Sequence, residues 1–208
     1  MRAETAPAPS SAGSASSAGR RHPVRTDVPG PLAALHALIR RHRPDGPYDG
    51  RSLRRDHLDA VLTTACGSHT GSIEVRPAVF AVDGLPPGVY RYAADELELV
   101  RQGGAHTDVL AAALPADRAT IGGAAVFVCL TGVLTRHEHR HGPGGYRLLA
   151  AEAGHLSQRL ILAATALGVV ARPFSTLFDD LLNPALGLDG DGERFVLGVL
   201  LGHAGEAG

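Results

Sequence analysis

The chain has 208 residues, enough for one domain with its own core, and 44% of them are hydrophobic. A net charge of −1 and a pI near 6.8 give no electrostatic basis for binding nucleic acid or an anionic lipid surface, and no apolar run reaches the ~20 residues of a membrane span. All 20 basic residues are Arg, which excludes any mechanism that needs a Lys amine from this chain as base or Schiff-base former.

Residues 1–19 (MRAETAPAPSSAGSASSAG) carry almost no bulky side chains, and residues 1–30 are expected to form a disordered tail ahead of one domain over 31–208. Arg20-Arg21 has the form of a twin-arginine signal, but the HPVRTDVPGP that follows is no apolar segment, so a cytoplasmic location is expected. Leu32, Leu35, Leu38 and Ile39 recur at helical spacing and predict a helix over 31–43, with Arg40, Arg41 and Arg43 crowding its C-terminal end. Asp56–Cys66 reads as a second helix with Leu58, Val61 and Leu62 inward. Cys66 and Cys129 fit no metal or redox spacing and read as small buried hydrophobes in a reducing compartment.

Glu74–Val82 alternates as a strand should. A Pro-Pro-Gly turn launches a short strand at Val89–Tyr92, and Leu97–Val100 is its expected partner. Thr107–Leu114 is expected to be a short helix and Ala124–Leu134 a central strand. Tyr146–Leu167 is the strongest helical pattern. Its second half, LILAATAL, is apolar on nearly every face and predicts burial on all sides, with Gly168 at the stop. A loop then leads to a last strand, Arg194–Leu201. The irregular interleaving of helices and strands around a mainly antiparallel sheet points to an α+β fold.

Two ionisable clusters stand out. His137, His139 and His141 would share one face if the preceding strand continued to them, as metal ligands or a proton relay require. No fourth ligand lies at suitable spacing, so no metal is expected, and a polar, partly exposed loop is the plainer reading. Glu152, His155 and Arg159 form a stripe at i, i+3 and i+7 on an otherwise apolar helix, and such groups need partners from a loop, a cofactor or another subunit.

The run GYRLLAAEAGHLSQRLILAATALG, with its Tyr-Arg opening, Glu-Ala-Gly-His turn and following Gln, resembles the central helix of the SagB-type peptide azoline dehydrogenases, members of the FMN-dependent nitroreductase superfamily. GLPPGVYRY (84–92), FDDLLNPALGLDGDGE (178–193) and VLGVLLG (196–202) are similar, in order, to that family's hairpin, acidic loop and last strand. The resemblance implies a nitroreductase-like fold, in which helices pack a mainly antiparallel sheet and a long buried central helix lies at a homodimer interface. It implies FMN at that interface. It also implies oxidation of thiazolines or oxazolines to azoles in a ribosomally made peptide, with a cyclodehydratase or another modification enzyme as partner.

Several positions depart from the family pattern. Arg140 and His141 stand where the family carries Lys and Tyr, and Gly144 stands for its Arg. The Pro-Ser-Ala-Gly loop corresponds to Ser68-His69-Thr70-Gly71, and the Arg-Arg-Ser-x-Arg phosphate signature to Arg40-Arg41-His42-Arg43. On this alignment His141 is the candidate base, because imidazole titrates near neutral pH, Arg140 would steady developing negative charge, and Tyr146 is a further candidate. An anionic phosphate needs Arg or backbone N–H donors. The expected cofactor residues are Arg40, Arg41, Arg43, Gly71, Ser72, Arg172, Pro173, Phe174, Ser175 and Gly202. An Arg cluster at a helix C-terminus also serves as a solvated cap. Two other functional readings stay open: a catalytically inactive subunit that acts as scaffold or peptide-binding partner of a modification complex, and a nitroreductase-fold enzyme with a different substrate.

Overall fold

A computed structural model describes residues 30–42, 46–67, 71–93, 95–102, 122–175, 179–189 and 192–205. The expected tail up to residue 29, the expected helix over 107–114, and Arg43 lie outside these residues. The order of elements is α1 (Gly30–Arg41), α2 (Arg55–Cys66), β1 (Ile73–Val79), β2 (Gly88–Ala93), β3 (Glu96–Gln102), β4 (Val126–Gly132), α3 (Leu134–His141), a 3-10 turn (Gly142–Gly144), α4 (Gly145–Ala166), β5 (Val170–Phe174), α5 (Asp179–Leu186) and β6 (Arg194–Gly202).

The six strands form one sheet in the order β3-β2-β1-β4-β6-β5, and every neighbouring pair is antiparallel. All seven residues of β4 are buried, as a continuous apolar run at the sheet centre should be. Helices cover both faces. One core joins α2 and α4 to the sheet through Leu58, Leu62, Val75, Val128, Leu156 and Leu160. The other joins α5 to the opposite face through Phe127, Leu182, Leu186, Phe195 and Leu200. Leu149, Leu156 and Leu160 on α4 are fully buried, each contributing roughly 1.5–3 kcal/mol of hydrophobic stabilisation. Gly168 ends α4 as expected: it takes φ +73°, and Val169 N–H closes back on the Ala164 carbonyl at 2.9 Å.

Three expectations need correction, and one helix face is less covered than its pattern suggests. The stretch after β4 is not an extension of the strand or a loop but the helix α3, closed by Gly142 at φ +67° and by Pro143. Residues expected to be loop form β5 and α5. β5 is short and tolerates Pro173 because it lies at the sheet edge, and α5 buries Leu182, Ala185 and Leu186 at helical spacing. Leu32, Leu35 and Ile39 of α1 do share a face, but in the single chain that face is about half exposed. The second half of α4 is not buried on every side: Leu162 is half-buried, and Ala166 and Leu167 are exposed. Leu148, Ala151, Gly154, His155, Gln158 and Ala166 follow one stripe that no other part of the described chain covers. No described helix is long and apolar enough to cross a membrane.

Candidate functional site

The sequence-expected residues separate into two groups, one at each end of α4. At its N-terminal end the loop Gly71–Ser72 precedes β1, and the Ser72 backbone N–H donates to Glu152 Oε1 at 2.7 Å. The other oxygen of that carboxylate lies 3.8 Å from His137 Nε2. His137 is buried, 4% exposed, and neither ring nitrogen has a hydrogen-bond partner among the described residues. Its ring centroid is 5.7 Å from that of His141, one turn along α3.

Helical rather than extended backbone therefore pairs His137 with His141 and sends His139 elsewhere, so the three imidazoles do not share a face. Among the described residues no group of three metal-ligating side chains is placed to hold an ion. Arg140, His141 and Tyr146 are exposed beside this cluster. The short α3 is pressed onto α4 where Gly145 leaves room: a Cβ there would stand 2.7 Å from the Glu138 nitrogen and 2.8 Å from the His137 oxygen. The Glu152–His155–Arg159 stripe splits by partner. Glu152 meets the loop, Arg159 donates to the Thr64 carbonyl at 3.2 Å, and His155 points outward.

At the other end Arg41 donates to the Thr165 carbonyl at 3.2 Å. With His42, Gly168 and Val170 it lines a cleft of about 300 Å³. Arg40 is exposed. Arg172 donates to the Gly46 carbonyl and lies over the Tyr48 ring, 5.4 Å from its centroid. Burial raises the Tyr48 phenol, which stays protonated and donates to the Leu200 carbonyl at 3.1 Å. Pro173 and Ser175 are exposed, whereas Phe174 packs against the second core. Gly202 lacks a side chain because the Tyr48 ring occupies its place, 2.7 Å from where a Cβ would be.

Ser72 and Glu152 are separated from Arg41 and Thr165 by thirteen residues of α4, about 20 Å at 1.5 Å per residue. One chain does not bring the two groups together.

A second cleft, also about 300 Å³, lies beside the Gly71 loop and was not anticipated from the sequence. It is lined in part by Cys66, Glu74, Tyr92 and Asp95. Tyr92 donates to Asp95 Oδ1 at 2.5 Å, and its phenol is pushed up to about 12 by burial and by that bond. Burial pushes the Cys66 thiol to about 12 as well. Neither group ionises at neutral pH, so the cleft offers shape and carboxylates rather than a nucleophile. Its walls come from α2, β1 and the β2–β3 hairpin, segments with no common sequence signature.

Residues 39–203 match the profile of the Nitroreductase family. Among solved structures, a nitroreductase-type protein of Anabaena variabilis is 30% identical over 84% of this chain, with a TM-score of 0.71; the chain spans 39% of that protein's length. A chain of the E. coli microcin synthetase McbBCD complex with truncated pro-MccB17 bound is 17% identical over 91% of this chain and 77% of its own, with a TM-score of 0.73. A nitroreductase-type protein of Desulfovibrio desulfuricans in complex with FMN is 19% identical over 87% of this chain and 89% of its own, with a TM-score of 0.56. No curated protein matches.

Proposed function

The chain belongs to the nitroreductase family, and from that premise we propose that it is an FMN-dependent oxidoreductase that converts thiazolines or oxazolines of a ribosomally made peptide to azoles, working as a homodimer beside a cyclodehydratase or another modification enzyme. The observation that carries this reading is the uncovered stripe of α4 together with the division of the site. Two copies packed antiparallel along that stripe would set the Gly71–Ser72 loop and α3 of one against the Arg41 and Arg172 end of the other. Gly154 favours such an approach, because open space surrounds the place of its missing Cβ. The likeness to a chain of the microcin synthetase complex supports a peptide substrate, and the likeness to an FMN complex supports the cofactor.

The residues present fit a flavin nucleotide. Arg41 lines an open cleft and suits an anionic phosphate. When bound, FMN supplies the two-electron acceptor. The protein's part is to hold the peptide and remove a proton. Aromatisation of an azoline takes a hydride from the ring carbon next to sulfur or oxygen and a proton from Cα. His141 accepts that proton at an imidazole nitrogen, and the Arg140 guanidinium beside it offsets the negative charge that develops at Cα. Tyr146 sits a few residues on, at the first turn of α4, where its hydroxyl can orient the peptide.

The inactive-subunit reading draws on one observation. Arg140 and His141 stand in place of the Lys-Tyr pair expected from the resemblance, and a guanidinium does not act as a base near neutral pH. One experiment separates the readings. Protein loaded with FMN should show a flavin band near ~450 nm and oxidise a thiazoline peptide, with flavin reduced one for one with azole formed. Protein that stays colourless in excess FMN overturns the oxidoreductase reading. A yellow protein that leaves azoline peptides untouched, yet binds them, establishes the scaffold reading.

A further inference from the structure

We propose that Glu152 is a positioning residue of the flavin site, which holds the Gly71–Ser72 loop and the arm that carries Arg140 and His141 as one unit. The inference rests on the function proposed above, since that function makes these two segments parts of one site.

The two oxygens of Glu152 face different segments. Oε1 accepts the Ser72 N–H at 2.7 Å, eighty residues away in sequence. Oε2 faces His137 Nε2 at 3.8 Å. The carboxylate sits in the N-terminal half of α4, between the fully buried Leu149 and Leu156. It therefore ties two weaker segments to a rigid one.

Helix α3 needs that tie. Its eight residues are too few to be stable alone, and no side chain caps its N-terminus. Three features hold it in place: Leu134 at its start packs against the first core, the backbones approach at Gly145, and His137 is buried opposite Glu152. His137 is the only described residue of α3 that is buried. Both of its ring nitrogens lack hydrogen bonds among the described residues, an arrangement that buried polar groups avoid unless a partner is close. Glu152 Oε2 is that partner, and a closure of less than about 1 Å makes a hydrogen bond of the contact. His141, with its ring 5.7 Å from the His137 ring, is placed through this anchor.

The test compares Glu152→Ala, Glu152→Gln and Ser72→Pro with the unaltered full chain. Amide hydrogen exchange is read with no flavin added, and azoline oxidation with flavin loaded. Glu152→Ala should speed exchange of Ser72 and of the α3 amides together by about tenfold, the factor that matches loss of one hydrogen bond to a charged group. In the same variant kcat should fall at least tenfold with KM nearly unchanged. Glu152→Gln, which keeps an oxygen acceptor for Ser72 and a polar group for His137, should restore exchange and most of kcat. Ser72→Pro removes the donor and should loosen α3 although it touches no residue of it.

Exchange that rises at only one of the two segments overturns the proposal, as does a uniform rise that includes β1 and β4, which would mark Glu152 as structural only. If Glu152→Ala does not fold, an α3 left unchanged in Ser72→Pro overturns it equally. A wild-type protein that takes up no flavin refutes the proposed function, while the exchange data still decide the coupling.

Discussion

The ring of Phe127 occupies the space that a side chain at Gly198 would need: a Cβ built there would stand 2.2 Å from Phe127 Cε2 and 2.5 Å from its Cζ. The two residues lie on the paired central strands β4 and β6, and the same ring meets Phe195 at 6.0 Å between centroids. Gly198→Ala should destabilise the fold by about 1–3 kcal/mol, the usual cost of overpacking a core, read as a lower urea midpoint. Adding Phe127→Leu should recover part of that loss, because the clash and the ring are one interaction.

Glu193 accepts from Arg76 at 2.8 Å and from the buried Thr131 hydroxyl. Burial pushes its carboxyl up, but these bonds more than offset burial and hold it below its ordinary 4.5. A depressed carboxylate stabilises the fold above its unfolded value, and the contribution disappears as pH falls through the folded value. Wild-type stability should therefore drop on acidification below about 4.5, and Glu193→Gln should be less stable at neutral pH with a flatter acid limb. Denaturation midpoints measured across that range check it; parallel acid limbs would remove Glu193 as the cause.

Cys66 and Cys129 are both buried, and burial holds both thiols above the ordinary value, Cys129 far above it. A thiol-specific reagent should label neither residue quickly in the folded protein at neutral pH, and both after denaturation. Fast labelling of the native protein would mean that the cleft beside Cys66 opens far more often than its packing allows.

Gly154 on α4 has nothing within 4 Å of the position of a Cβ. In a single chain, Gly154→Leu should be neutral or slightly stabilising, since Gly costs a helix roughly 0.5–1 kcal/mol relative to Ala. In the proposed dimer it should block close approach of the two helices. The expected outcome is a monomer of undiminished thermal stability by sedimentation and calorimetry, with flavin binding lost. A variant that remains dimeric would place the interface elsewhere.

The parts of the fold legible in the sequence are those in which local pattern and final packing agree. The apolar run of β4, the long periodicity of α4 and the Gly168 stop need no information from elsewhere in the chain. Helix α3 was not legible, because Leu134 is its single aliphatic side chain, too little for a helical pattern, and its backbone needs the room that Gly145 leaves. β5 was hidden by its Pro173 and α5 by its Pro184, each tolerated only because of position. For the site, Gly71 and Ser72 could be found by alignment and Glu152 by its unlikely place on an apolar helix. Their contact could not, since it spans eighty residues and depends on how the loop returns to α4. The exposed Ala166 and Leu167 at the end of α4 read as buried in the sequence, because a hydrophobic pattern does not say which chain will cover it.

The segment around Tyr48 is laced to the stretch after β6: Asp49 N–H donates to the His203 carbonyl, Gly205 N–H to the Pro47 carbonyl, and Tyr48 pairs with Ala204. These bonds join residues more than 150 positions apart. On a translating ribosome the Pro47–Asp49 segment therefore emerges early and waits without its partner until β6 and residues 203–205 have been made. Closing so long a loop is entropically slow, so this ribbon should zip up last, after the helices and the β1–β2–β3 meander. A nascent chain stalled within β5 would expose the Tyr48 ring and the β4 edge together, which makes that point of synthesis one where a chaperone has apolar surface to cover.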